Sequence, residues 1–183
     1  MKPGETDQRR REPGLAPVQD GTALRQVMGQ FATGITVVSV GGAEPHGMTA
    51  NAFTSVSLDP PLVLLCVQRT ANLHEAIRQS GSFAVSILAA HQEREARIFA
   101  THRRPRTGEF AAVDVACGPY SGAPVFCGAL AWLECELTAS HDGGDHSIFI
   151  GQVRTLGRGP AGNALLHFDG SYRRLAVEAT QPQ

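Results

Sequence analysis

The chain has little with which to hold a charged polymer or to cross a bilayer. Its 16 basic and 17 acidic residues leave a formal net charge of -1, so no overall field draws it to nucleic acid or to an anionic membrane surface. No window approaches the roughly 18 consecutive apolar residues of a membrane span. The four cysteines, Cys66, Cys117, Cys127 and Cys135, form neither a CxxC pair nor a zinc-type grouping, which points to free thiols in a reducing compartment. Arg9, Arg10 and Arg11 have the look of a twin-arginine export signal, but Glu12, Pro13 and Gly14 stand where its apolar region would begin, so a cytoplasmic protein is expected. Also missing are GxGxxG after a strand, GxxxxGK[ST], GxSxG and HExxH. Rossmann, P-loop and α/β-hydrolase enzymes lose ground accordingly.

What is present suits one domain: 183 residues, 42% of them hydrophobic, enough for a substantial core. Residues 1–20 are rich in charge, Pro and Gly and bury too little to offset their ordering entropy, so a disordered tail is expected before a unit over 21–178. Leu24, Val27, Met28 and Phe31 predict one apolar face of a first helix, opening at Thr22 and stopping at Gly34. The β-branched run 35–40 predicts a strand, and Gly41, Gly42 and Pro45 a break before the next, at His46. Asn72 and Gly81 bracket a short helix, and 91–100 reads as an amphipathic one. No periodicity survives over 101–118, where His102, Arg103, Arg104 and Arg106 cluster. Alternation over 129–140, with Leu130, Trp132 and Leu137 as candidates for burial, predicts a long strand, turned back by HDGGD at 141–145. Many strands, few helices and hairpin links predict a mostly-β fold, a closed antiparallel barrel with helices over its openings.

The stretch the chain is built around is GMTANAFTSVSLDPPLVLLCV, residues 47–67. Small and polar residues come first, Asp59, Pro60 and Pro61 force a corner, and an unbroken apolar run follows as a core strand. Thr49, Ala50 and Asn51 offer a hydroxyl, a backbone edge and an amide to a flat ring. Ser55 and Ser57 share a face if the period of two holds. After the core strand, Gln68, Arg69, Thr70, Ala71 and Asn72 lead into a helix start, where unpaired N–H groups and an arginine suit a phosphate. His141, Asp142, Asp145 and His146 match no standard coordination spacing, so no metal is expected.

With GDHSIFIGQV at 144–153 and LLHFDGSYRRL at 165–175, these blocks together resemble the flavin reductase family, with its FMN-binding split β-barrel of Greek-key type flanked by a few short helices. The resemblance spans 24–175. It implies an NAD(P)H:flavin oxidoreductase that reduces FMN or FAD and supplies reduced flavin to a separate oxygenase component of a two-component monooxygenase. It also implies a homodimer. Asn51, Ala52, Phe53 and Thr54, with Thr49 and Ala50 before them and Ser57 after, would line the ring. Gln68, Arg69, Thr70, Ala71, Asn72 and His74 would cradle the ribityl phosphate, and Phe99 with Ala100 would close over the flavin's far end. His146 would stand beside the nicotinamide of NADH or NADPH as the catalytic side chain. Ala52 and Ala71 replace the serines frequent in the family, and His167 stands where Tyr or Phe is usual. The same fold could instead hold flavin tightly, as an electron-transfer or ferric reductase or as a non-catalytic flavin-binding module.

Overall fold

The computed structural model describes residues 21–101 and 107–175. The expected tail over 1–20, the cluster His102 to Arg106 and the last residues of the 21–178 unit lie outside them. After a first helix, α1 (Gly21–Met28), and a two-residue strand, β1 (Thr33–Gly34), the chain enters β2 (Thr36–Val40), every residue of which is buried. It continues through β3 (His46–Ala50), β4 (Phe53–Leu58) and β5 (Pro61–Gln68) to α2 (Asn72–Ser80) and β6 (Ser82–Ile87). A turn of 3-10 helix at Ala90–Gln92 opens α3 (Glu93–Ala100). Two short strands follow, β7 (Val115–Cys117) and β8 (Pro124–Phe126), then the long hairpin β9 (Ala131–Gly143) and β10 (His146–Arg158), and last β11 (Leu165–Phe168) and β12 (Ser171–Arg174).

Seven strands form one sheet in the order β3-β2-β6-β9-β10-β5-β4, antiparallel throughout. Its two ends, β3 and β4, are consecutive in the chain and joined by Asn51 and Ala52 alone. At about 3.3 Å per residue that link holds the sheet's edges within roughly 10 Å of each other. The sheet therefore curls round a single interior, completed by the chain itself where a closed barrel would have hydrogen bonds. Val38 from β2, Leu65 and Val67 from β5, Phe83 from β6 and Phe149 from β10 all meet there, and Leu73 and Ile77 of α2 plug one opening. A second cluster under α3 stacks Phe99 against Phe110 at 4.9 Å and edge-on to Phe126 at 5.2 Å.

Most predicted elements are found, with instructive differences. The first helix ends at Met28, and Gly34, expected to stop it, sits in β1 paired with Leu166. None of its residues is buried. The second helix begins on an uncapped Ala71, with Asn72 already inside its first turn, while Gly81 takes the left-handed stop at φ 67°. The HDGGD turn is shorter than expected: His141 and Asp142 still pair with Ile148 and Ser147, leaving only Gly144 and Asp145 between the strands. Strands β7 and β8 are absent from the sequence reading, being three residues each.

Candidate functional site

Cross-strand partners in an antiparallel pair share a face, so the buried residues of β5 settle which side of β4 is which. Val63, Leu65 and Val67 point into the interior, leaving Leu62, Leu64 and Cys66 outside. Phe53 pairs with Leu65 and packs inward, and Thr54 pairs with Leu64 and faces out. Ser55 then pairs with Val63 and Ser57 with Leu62, with Val56 as an extra residue between. This bulge overturns the expectation that Ser55 and Ser57 share a face. It sets Ser57 instead on the outer side with Thr54, where an unbroken period of two would have separated them.

That outer side is one wall of a cleft of about 560 Å³, lined by Asn51, Ala52, Phe53, Thr54, Leu64 and Cys66, with Met28, Phe31, Ala32, Thr33 and Gly34 opposite. The link is pinned by the Cys66 N–H donating to the Ala52 carbonyl at 3.0 Å. Two polar groups here lack partners among the described residues. Thr33 Oγ1 is buried with no hydrogen bond, and the exposed Asn51 amide has none either. Burial pushes the Cys66 thiol above its ordinary range, keeping it uncharged against the cleft. The Thr49 hydroxyl, expected to be offered to a ring, donates to the Ala96 carbonyl of α3 at 2.7 Å. Ala50 closes the interior from β3, an edge strand whose outward backbone groups have no neighbouring strand.

A smaller pocket of about 120 Å³ lies at the other end of β3, walled by His46, Gly47, Met48, Thr70, Ala71, Asn72, Phe99 and Thr101. Glu109 anchors this floor. Its carboxylate takes His46 Nδ1–H at 2.7 Å and the Gly47 N–H at 3.2 Å. The predicted phosphate residues thus divide. Thr70, Ala71 and Asn72 line the pocket, but His74 faces β10, its Nε2 2.8 Å from Ser147 Oγ and its ring 5.2 Å from Phe149. Burial, with repulsion from Arg78, holds the His74 imidazole below its ordinary range despite nearby Glu75. Ala100 ends α3 in solvent. Gln68 is exposed opposite His146, on the face that carries Leu64 and Cys66.

His146 stands at the tip of the β9–β10 hairpin. By the same register its side chain shares the outer face with Cys66, one strand over and two residues along. Its Nδ1 lies 2.7 Å from Asp145 Oδ1, a bond that draws the Asp145 carboxyl below its usual range. Arg69 turns to this hairpin as well, and not to the small pocket: its guanidinium pairs with Asp142, and its Nε donates to the His146 carbonyl at 3.4 Å.

The structure therefore gathers the predicted residues into a cleft, a pocket and a hairpin tip, strung along β3, β4 and β5. Thr33, His46, Cys66 and Glu109 were missed. Cys66 was legible as the outward position in an alternating run, but the others are brought in by pairings that no local pattern announces.

A family model described as flavin reductase like domain matches residues 28–176. An NADH-dependent FAD reductase of Streptomyces globisporus is 50% identical over 168 residues, covering 91% of this chain and 92% of the relative. The solved structure of a Streptomyces globisporus C-1027 NADH:FAD oxidoreductase with NAD and FAD fragments superposes with a TM-score of 0.86 at 49% identity, covering 91% of this chain and 99% of that one. The flavin reductase component of a bacterial two-component tryptophan halogenase superposes with a TM-score of 0.82, also at 49% identity, over 85% of this chain and 98% of that one.

Proposed function

The chain belongs to the flavin reductase like family, and we propose that this NAD(P)H-dependent flavin reductase works with NADH and FAD, releasing reduced flavin to a separate flavin-dependent oxygenase. The observation that carries the reading is the cleft on the outer face of β4 and β5. Asn51 and Ala52 on one wall and Ala32 and Gly34 on the other offer backbone and small side chains, between which a flat ring can lie, and Asn51 and Thr33 hold polar atoms without partners among the described residues. A buried hydroxyl left unpaired costs roughly 1–3 kcal/mol, which a ligand's hydrogen bond would relieve.

Flavin, when bound, supplies the two-electron acceptor for hydride from reduced nicotinamide. The protein's part is to hold and orient. Asn51 and the outward backbone of β3 and β4 would hold the polar edge of the ring, with Thr54 and Ser57 on the same face. The uncapped N-terminus of α2, with Thr70 and Asn72, would take the phosphate side, and Phe99 closes the pocket there. His146, oriented by Asp145, would set the nicotinamide. Leu24, Val27, Met28 and Phe31 of α1 and its following turn are exposed, Met28 and Phe31 at the rim of the cleft, and this bare apolar face supports a homodimer. No helix among the described residues is long and apolar enough to cross a membrane. All four cysteines are unpaired, as the cytoplasm would keep them.

Steady-state oxidation of NADH and NADPH with added riboflavin, FMN, FAD or a ferric chelate tests this. Turnover should require free flavin and be fastest with NADH and FAD. A protein that purifies with stoichiometric flavin and reduces the chelate without any added is the electron-transfer alternative, and one that binds flavin yet consumes no NADH is a binding module.

A further inference from the structure

We infer that Arg69 is a positioning residue for His146 and not a ligand of the flavin phosphate, a role that rests on the proposed part of His146 in nicotinamide binding. Three contacts tie Arg69 to the hairpin tip. Its backbone N–H donates to the Asp145 carbonyl at 3.0 Å, its Nε to the His146 carbonyl at 3.4 Å, and its guanidinium pairs with the Asp142 carboxylate. The next three residues, Thr70, Ala71 and Asn72, line the small pocket at the start of α2, and Arg69 does not.

The mechanical sense follows from the chain path. Gly144, at φ 75° in the two-residue turn, and Gly143 just before it give the hairpin tip little intrinsic stiffness. Arg69 directly follows β5, the strand whose Leu64 and Cys66 wall the cleft. Holding Asp142, Asp145 and His146 from that point fixes the height of the imidazole over the outer face. Asp145 sets the direction of the ring, and Arg69 sets the backbone it hangs from.

The test uses the full chain as R69Q, R69K, D142N, R69Q/D142N and H146A. For each, KM and kcat are measured for NADH, for riboflavin, FMN and FAD, together with the melting temperature. R69Q should lose roughly three- to tenfold in kcat/KM for NADH, on the scale of a small ion-pair network. Its preference for FMN over riboflavin should be unchanged, because riboflavin differs by the phosphate alone. R69K should recover part of the loss. D142N, at a position that is 80% exposed in its side chain, should show a smaller loss of the same kind, and the double variant should be no worse than R69Q. The assignment is overturned if R69Q erases the FMN preference while NADH kinetics stand, if the double variant's losses simply add, or if all substrates decline together with the melting temperature. If H146A leaves NADH kinetics unchanged, the reading of His146 fails and this role with it. If H146A is impaired and R69Q is not, Arg69 alone is misassigned.

Discussion

The cleft and the ground around Glu134 treat polar atoms in opposite ways. Glu134 lies in β9 with no exposed surface, and every hydrogen-bonding direction of its carboxylate is answered. The Tyr120 N–H donates at 3.0 Å, the Ser121 N–H and hydroxyl at 2.7 Å each, and the Thr155 hydroxyl from β10 at 2.6 Å. In the cleft, among the described residues, the Thr33 hydroxyl is buried without a partner and the Asn51 amide has none. A buried charge is tolerated only when fully met, while a site that must accept a guest keeps atoms unmet. On the proposed function, stability is concentrated in the first region and binding capacity in the second.

The contrast can be broken at either end. Glu134→Ala should destabilise the fold by about 3–5 kcal/mol, since four donors lose a buried anion; chemical denaturation measures it, and flavin KM of the folded fraction should not move. A stability within about 1 kcal/mol of the parent would mean the carboxylate is no anchor. The same group predicts an acid limb. Burial pushes its carboxyl up, but the bonds from Thr155, Ser121 and Tyr120 outweigh this and leave it below its ordinary value. A depressed carboxyl gives stability that is complete at neutral pH and is lost as pH falls through the folded value. Glu134→Gln should therefore flatten the acid side of a stability-against-pH curve, and an unchanged slope there would refute the assignment. On the cleft side, His146→Ala should lower NADH turnover roughly tenfold with flavin affinity nearly intact. The smallest effect sharpens the comparison most: Thr33→Val removes an unpaired hydroxyl. The flavin-free protein should be unharmed or up to about 1 kcal/mol more stable, while flavin binds more weakly. Loss of both together would make Thr33 an ordinary structural residue.

What could be read from residues alone follows the same division. The Asp59-Pro60-Pro61 corner, the apolar run of β5, the Gly81 stop and the long hairpin arise from local chemistry, and all four stand where expected. The Glu134 network joins residues 14 and 21 positions apart, and the His46–Glu109 pair spans 63; neither leaves a periodic trace. The first helix was read as carrying one apolar face because its apolar residues recur at helical spacing. That spacing reports a face, not what covers it, and in the single chain Val27 and Phe31 are 69% and 67% exposed. The resemblance groups Arg69 with its neighbours in sequence, and its contacts in the structure are with the tip of the β9–β10 hairpin.

The extra residue at Val56 acts as a phase slip in β4. Everything before it keeps one assignment of inside and outside, and everything after it keeps the reverse. Were the same residues paired without the slip, Val56 would fall opposite Leu62 and Ser57 opposite Pro61, which would turn Ser57 toward the apolar interior and Leu58 toward the cleft. The shape of the proposed binding surface is therefore written partly in how the strand is paired, and forcing β4 into unbroken register here would matter more than most substitutions.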